Sequence, residues 1–251
     1  MVSIRTAPDR QLPRRLLAEF IGSALLVTVV VGSGIAAAQL SPSDIGLQLL
    51  ENSTATALGL AVLILLFGPI SGAHFNPVVS LTDWLLGRRT AACVSVAVMV
   101  SYAVVQVGGA IGGALLANAM FDRRFVELAT KQRVTPGHLI GEVVATAGLI
   151  SLIFALSRTR RAALSAAAVG AYIGSAYWFT SSTSFANPAV TVGRMFSDTF
   201  AGIAPTSVLP FIAAQIIGGL IGLALTAVLY PDVADTADAA VVPHNALHPG
   251  E

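Results

Sequence analysis

The segment SGAHFNPVV at positions 71–79 contains an Asn-Pro pair, and the segment STSFANPAV at positions 182–190 repeats that pair in the second half of the chain. Asparagine caps the N-terminus of a helix well, and proline in the first turn gives up no N–H that the helix needs. Each pair therefore predicts the start of an apolar helix, over about 76–87 and 187–197. Helices of that length rise roughly 15 Å, about half of a membrane.

Six further stretches are apolar and long enough to span a membrane. A bilayer core of roughly 30 Å needs about 20 apolar residues of helix. The composition agrees, because 55% of the 251 residues are hydrophobic and 11% are charged, whereas about a quarter of the residues in a soluble domain are charged. We predict an all-α, multi-pass membrane protein whose partner is the lipid bilayer. The predicted spans are 16–38, 53–71, 91–118, 139–157, 162–180 and 206–230.

The two halves of the chain match at three landmarks in the same order, which predicts a repeat of about 16–118 and 139–230. Three spans in each half is an odd number, so the second half is inverted relative to the first. The two half-length helices then enter from opposite faces and meet near the midplane. The landmarks are Glu19 and Glu142, the two Asn-Pro pairs, and Gln106 and Gln215, each glutamine preceding a glycine-rich run. Gly108, Gly112, Gly218 and Gly222 of these runs are expected to allow close helix packing.

Two half-helices that meet at their N-termini place two positive dipole ends in the middle of the membrane. The side-chain amides of Asn76 and Asn187 can donate hydrogen bonds into a lumen there. Non-helical backbone at this depth is tolerated only where protein or a water-filled cavity satisfies its polar groups. The pattern predicts a pore that repels cations and protons and admits neutral hydroxylated solutes.

These motifs resemble those of the aquaporin and aquaglyceroporin family, the major intrinsic proteins, over about residues 15–230. The resemblance rests on the paired Asn-Pro loops, on the run 18–20 around Glu19, and on the two glutamines. It implies an aquaporin-like fold and a homotetramer with one pore in each subunit. The residues that it assigns to the pore midplane are Asn76, Pro77, Val78, Asn187, Pro188 and Ala189.

Glu19 and Glu142 lie inside predicted spans, where an unpaired charge costs several kcal/mol. In the family that the chain resembles, such glutamates brace the re-entrant loops by accepting backbone N–H bonds. The alternative is a proton site in an ion-coupled carrier. His74, beside the first Asn-Pro pair, is expected to brace its loop as well.

The resemblance also implies a four-residue constriction, which spacing from each asparagine carries onto Thr56, Ser175, Ser184 and Val190. Most members place an arginine where this chain has Val190, and the other three residues are small. We therefore expect a wide selectivity filter without an arginine. Arg194 lies one turn farther along, where it either lines the outer vestibule or pairs with Asp198 on the surface. Val78 stands where alanine is usual, and it either narrows the midplane or packs outward.

A wide filter without a fixed cation favours solutes larger than water. We expect passive transport of neutral metalloid acids such as arsenite and/or glycerol-like polyols, with some water. The run 187–194, NPAVTVGR, resembles bacterial aquaporin-like channels linked to arsenic resistance. A water-selective aquaporin and a proton-coupled carrier are the alternatives.

Several classes of protein are excluded by composition and motifs. A net charge of +1 without a basic cluster excludes nucleic-acid binding. The single cysteine, Cys93, excludes an internal disulfide, and no ligand spacing indicates a metal or cofactor. The spans contain no nucleophile or His pair that would indicate an enzyme. The arginine distribution predicts a cytoplasmic N-terminal segment at 1–15 in a cell (inner or plasma) membrane protein, and 231–251 is expected to be a disordered tail.

Overall fold

The computed structural model describes residues 11–87 and 95–231. This part of the chain is all-helical, as predicted, and six of its helices are long and apolar enough to cross a membrane. In chain order the helices are α1 Leu12–Leu40, α2 Ile45–Ser71, α3 Pro77–Gly87, α4 Val96–Met120, α5 Pro136–Arg158, α6 Ser165–Phe179, α7 Pro188–Gly193 and α8 Pro205–Leu229. Single 3-10 turns, Ala162–Leu164 and Arg194–Phe196, precede α6 and follow α7. Cys93, nearly all of the predicted tail and most of the predicted N-terminal segment lie outside the described residues.

Helix α2 begins eight positions earlier than the predicted span, because the side chains of its first turns are polar but find partners. Asp44 caps the helix by accepting from the Leu47 N–H at 2.9 Å. Gln48 donates to the Ser41 carbonyl at 2.8 Å, and Asn52 donates to the Val30 carbonyl at 2.9 Å. Hydropathy alone misses this extension, since it counts these residues as breaks in the apolar run.

Glycines bring the paired helices of each half into direct backbone contact. A Cβ added at Gly109 or Gly113 of α4 would lie 2.2 and 2.0 Å from carbonyl oxygens of α1. In the other half, a Cβ at Gly218 or Gly222 of α8 would lie 2.5 Å from carbonyl oxygens of α5. The two packings are equivalent under the repeat, since these glycines follow Gln106 and Gln215 by the same intervals.

The predicted packing role is therefore correct for Gly218 and Gly222 and wrong for their partners in the first half. Gly108 meets only the edge of a phenylalanine ring at 3.7 Å, and a Cβ on Gly112 would meet nothing within 4 Å. Each lies one residue before the glycine that makes the contact, about 100° away around the helix. The repeat contains the signal that identifies the right pair, since Gly109 and Gly113 follow Gln106 by the intervals at which Gly218 and Gly222 follow Gln215.

Large apolar side chains face outward along the long helices, as a lipid-exposed surface requires. On α2 these include Leu58, Val62, Leu65 and Leu66, each more than half exposed in the isolated chain. The buried core is built from Val27, Val31, Ile150 and Phe154 and their neighbours on the inner sides of α1 and α5. The half-length helices α3 and α7 lie within this shell, so their N-termini are enclosed by protein.

Candidate functional site

The two Asn-Pro loops contact each other at their tips, as the inverted repeat predicts. The Asn76 Nδ2 donates to the Ala186 carbonyl at 2.8 Å, and the Asn187 Nδ2 donates to the Phe75 carbonyl at 2.7 Å. A carboxamide has two N–H donors. Each asparagine therefore keeps one N–H beyond this cross-loop bond, and both residues line the same internal cavity.

The same asparagines cap the two half-length helices through their Oδ1 atoms. Asn76 accepts from the Val78 N–H at 3.0 Å. Asn187 accepts from the Ala189 and Val190 N–H groups at 2.9 and 3.2 Å. One side chain thus fixes both the start of its helix and the position of the opposite loop.

Glu19 braces the first loop from within α1. Its carboxylate accepts from the N–H groups of His74 and Phe75 at 3.0 and 2.7 Å. It also accepts from the Ser71 hydroxyl at 2.6 Å and from the Gln106 amide at 2.7 Å. The carboxylate is fully buried and does not reach the cavity wall.

Glu142 does the same for the second loop from α5. It accepts from the N–H groups of Phe185 and Ala186 at 2.8 and 2.9 Å and from the Gln215 amide at 2.6 Å. Gln215 also donates to the Thr191 hydroxyl at 2.8 Å, as Gln106 does to that of Ser80 at 3.1 Å. The second glutamate is likewise buried away from the cavity.

The loop backbone is held in a conformation that non-glycine residues rarely adopt. Ala73 and Phe75 have φ of 50° and 48°, and the equivalent Ser184 and Ala186 have 46° and 47°. Left-handed backbone at such residues costs about 1–3 kcal/mol and persists only where the surroundings hold it. The glutamate braces hold it here, and all four residues line the cavity.

His74 joins the first loop to its surroundings. Its Nδ1 lies 3.0 Å from the Ser80 Oγ, and its ring packs edge-on against Tyr102 with centroids 5.4 Å apart. His74 also lines the cavity. These contacts are those expected of a loop brace.

The cavity has a volume of about 80 Å³ and is lined by both halves of the chain. A single water needs about 10–15 Å³ on the same measure, so the cavity has room for several. Most of its wall is apolar, including Leu26, Leu60, Leu149 and Val169. The polar groups on the wall come from Thr56, Ser165, His74, Asn76, Tyr177, Ser184, Asn187 and Arg194.

Of the four predicted filter residues, the structure brings Thr56, Ser184 and Val190 together on the cavity wall. It does not bring Ser175 there, because that side chain is exposed on the outer side of α6 and donates to the Tyr172 carbonyl at 2.8 Å. Tyr177 lines the cavity instead, with its hydroxyl oxygen 3.3 Å from the Thr56 Oγ1.

The misplacement of Ser175 has a geometric cause. Side chains two positions apart on a helix point about 200° apart. An error of two residues in counting back from Asn187 therefore selects the opposite face of α6. The sequence does contain a usable signal, since the cavity-lining residues of α6 repeat at intervals of four. They are Ser165, Val169, Ile173 and Tyr177.

Arg194 is buried and lines the cavity, which agrees with the first of the two alternatives for this residue, a position on the wall of the passage. Its Nε donates to the Ala201 carbonyl at 2.5 Å, and its guanidinium carbon lies 3.4 Å from the centroid of the Phe185 ring. The alternative pair with Asp198 is not formed. The Asp198 carboxylate accepts instead from the N–H and hydroxyl of Thr130 at 2.9 and 3.1 Å.

The remaining predicted midplane residues support the loops rather than the cavity wall. Val78 packs outward, since a Cβ built on Gly219 of α8 would lie 2.4 Å from its Cγ1. Pro77, Pro188 and Ala189 likewise contribute nothing to the wall of the cavity. Among the described residues no group of His, Cys, Asp and Glu could hold a metal ion.

Known proteins match the chain along most of its length. Residues 7–185 match the family model described as major intrinsic protein. Aquaglyceroporin AqpS of Rhizobium meliloti (strain 1021) is 46% identical over 214 residues, which cover 85% of this chain and 89% of that protein. The glycerol uptake facilitator protein of Escherichia coli (strain K12) is 32% identical over 135 residues, which cover 54% of this chain and 44% of that protein.

The fold has a counterpart among solved structures. The X-ray structure of the aquaglyceroporin from Plasmodium falciparum superposes with a TM-score of 0.63, covering 88% of this chain and 98% of the other. The two sequences are 16% identical, so this likeness concerns the fold alone.

Proposed function

The chain belongs to the major intrinsic protein family and is a membrane channel for small neutral solutes such as glycerol, and on this premise we propose that it also passes neutral metalloid acids such as arsenite, with some water. Members of this family are channels and not enzymes. The transport proposed is passive, down the gradient of the solute.

The observation that carries the proposal is the distribution of polar groups in the cavity. Ser184 is buried and its hydroxyl has no hydrogen-bond partner within the described residues. With Tyr177, Thr56 and the two asparagines, it supplies donors and acceptors to a wall that is otherwise apolar. A compact trihydroxy solute, whether glycerol or arsenous acid, can exchange hydrogen bonds with these groups while its remaining surface contacts the apolar residues.

Cations are disfavoured at two levels of the same cavity. The N-termini of α3 and α7 meet at the asparagines, where their dipoles repel cations. The guanidinium of Arg194 adds a full positive charge to the wall. A neutral acid meets neither barrier.

A water-selective channel is the second candidate, and a specific observation favours it. Tyr177 and Arg194 line the same cavity as Thr56, Ser184 and Val190. Both are bulky, so the cavity is narrower than Thr56, Ser184 and Val190 alone would make it. The proton-coupled carrier is less well supported, because Glu19 and Glu142 are held by loop donors away from the cavity wall.

We also propose a homotetramer in the cell membrane, with one pore in each subunit and the N-terminus in the cytoplasm. Membership in the family supports the assembly, and the loop arginines support the orientation. The channel unit is proposed to comprise residues 16–230, as two inverted halves.

Stopped-flow light scattering on vesicles that contain the purified full chain tests the substrate proposal. We expect faster glycerol-driven swelling than in lipid-only vesicles, and faster arsenite entry at neutral pH by direct arsenic measurement. Acceleration of water alone, with glycerol and arsenite at the lipid-only rate, would establish the water-selective alternative. Uptake that depends on an imposed proton gradient would establish the carrier.

A further inference from the structure

Three cationic side chains cluster near the point where Arg194 lines the cavity, and we call Lys131, Arg133 and Arg194 the cationic mouth. Arg194 is the member of this cluster that lines the cavity wall. The guanidinium carbons of both arginines lie over the ring of Phe185, at 5.1 Å for Arg133 and 3.4 Å for Arg194. Arg133 and Lys131 share the Phe200 carbonyl as acceptor, at 3.1 and 3.4 Å. The three charges are thus held close together by two common partners.

Positive charge exceeds negative charge at the cationic mouth, since Glu142 is a carboxylate near enough to attract Arg133 and Arg194 and is already bound by the N–H groups of its loop. Within the described residues none of the three side chains forms a salt bridge, and the acceptors they use are backbone carbonyls. Lys131 is exposed at its surface, and partial desolvation together with the neighbouring Arg133 and Arg194 lowers its pKa to about 8. Three cations near one carboxylate leave an excess of positive charge, and Arg133 and Arg194 are buried. An anion that entered this end would therefore gain a favourable electrostatic interaction.

Arg194 still has donors to offer such an anion. A guanidinium carries five N–H groups in a planar fork, and among the described residues only its Nε has an acceptor, the carbonyl of Ala201. The terminal nitrogens belong to a side chain that is 2% exposed and lines the cavity. The Ser184 hydroxyl, equally buried and without a partner, lies on the same wall.

We propose that the Arg194 end of the cavity binds small inorganic oxyanions, with Arg194 and Ser184 as the direct ligands, and that a bound oxyanion obstructs the passage of neutral solutes. The guanidinium fork matches two oxygens of an oxyanion. Farther along, the wall is dominated by apolar side chains such as Leu149, Ile153 and Val169. An anion that moved from the cationic mouth into this apolar stretch would lose its hydrogen bonds. It therefore stays at the mouth and does not cross.

Inhibition of solute flux tests this site with sulfate as the probe, because sulfate keeps its charge near neutral pH and does not cross lipid. The inference rests on the proposed function, since inhibition requires a conducting pore. Glycerol permeability of vesicles containing the full chain is measured in sodium sulfate and in sodium chloride of equal ionic strength, with the salt on both sides. We expect sulfate to slow glycerol and chloride to have much less effect.

Arg194→Gln should raise the half-inhibiting sulfate concentration at least about tenfold, because a hydrogen bond to a charged group is lost. Arg123→Gln is the matched control. It removes one positive charge from an exposed pair with Glu127, outside the cavity wall. Glycerol flux that is indifferent to sulfate, or equal shifts in the two variants, would overturn the proposal.

Two measurements keep the test decisive if Arg194→Gln folds poorly. Arg194→Lys keeps the charge but loses the planar fork, and Ser184→Ala loses the free hydroxyl, so both should weaken inhibition. Binding itself is followed in detergent as the rise in melting temperature in sulfate relative to chloride, which should be smaller in these variants than in Arg123→Gln. Vesicles that fail to pass glycerol contradict the proposed function alone, whereas an equal rise in all proteins contradicts the oxyanion site alone.

Discussion

The guanidinium carbon of Arg194 lies 3.4 Å from the centroid of the Phe185 ring, so the cation on the cavity wall rests on an aromatic side chain of the second Asn-Pro loop. The backbone N–H of the same phenylalanine is bound by Glu142. The loop brace and the position of the charge therefore depend on one residue.

Replacing Phe185 with leucine should lower the stability of the protein by about 2 kcal/mol. The variant loses a desolvated cation–π contact and the edge-on packing with the Phe211 ring, whose centroid is 5.3 Å away. The measurement is the melting temperature in detergent. Phe125→Leu, at a side chain that is 59% exposed, is the matched control and should change it little. Equal effects of the two substitutions would contradict the assigned contact.

Tyr177→Ala should increase the permeability of glycerol relative to that of water. The substitution removes a ring from the cavity wall and frees the hydroxyl of Thr56, so larger solutes fit and find one more hydrogen-bond partner. Ser175→Ala should leave both permeabilities unchanged, since that side chain lies outside the cavity. Vesicle swelling rates for the two solutes give the ratio. A change with Ser175→Ala and none with Tyr177→Ala would place the filter at the residue carried over by spacing.

Glu142→Gln should destabilise the protein by about 3 kcal/mol, because a carboxamide has one oxygen where the loop needs two acceptors. The N–H groups of Phe185 and Ala186 bind different carboxylate oxygens, so the new NH₂ group would face a donor. Glu127→Gln breaks only a surface pair with Arg123 and should cost less than about 1 kcal/mol. Thermal melting compares them. If Glu142→Gln were instead fully stable and had lost proton-dependent uptake, the glutamate would be a proton site.

Gly113→Ala should strongly destabilise the contact between α1 and α4, whereas Gly112→Ala should not. The added methyl group at position 113 would lie 2.0 Å from the Ala24 carbonyl oxygen, and at position 112 it meets nothing within 4 Å. Neither side can move easily, because the methyl group is attached directly to the backbone of one helix and the oxygen belongs to the backbone of the other. Melting temperature and yield of folded protein are the readouts, and similar losses in both variants would refute this assignment of the packing faces.

Local features of the chain account for most of what the sequence could predict. The six spans, the half-length helices and the repeat follow from apolar run lengths and matched landmarks, and these are local properties of the chain. Glu19 and Glu142 were predicted to brace the loops, and the structure gives each of them backbone N–H partners in its own loop. The landmarks also paired Gln106 with Gln215, which make equivalent bonds.

The residues that the sequence misplaced are those reached by counting across irregular backbone. Ser175 was carried over through the segment between α6 and α7, where no fixed rise per residue relates position to direction. Arg194 was left open for the same reason, because its partner Ala201 belongs to the connection before α8.

By itself, the sequence determined that this is an all-helical membrane protein of two matching halves with paired Asn-Pro helix starts, because hydrophobic length and capping chemistry act over a few neighbouring residues. Only the tertiary structure decided that Tyr177 and Arg194 line the cavity and that Ser175 faces away. Those outcomes depend on the rotation of each helix about its axis and on the path of the loops, which are fixed by packing between residues far apart in the chain.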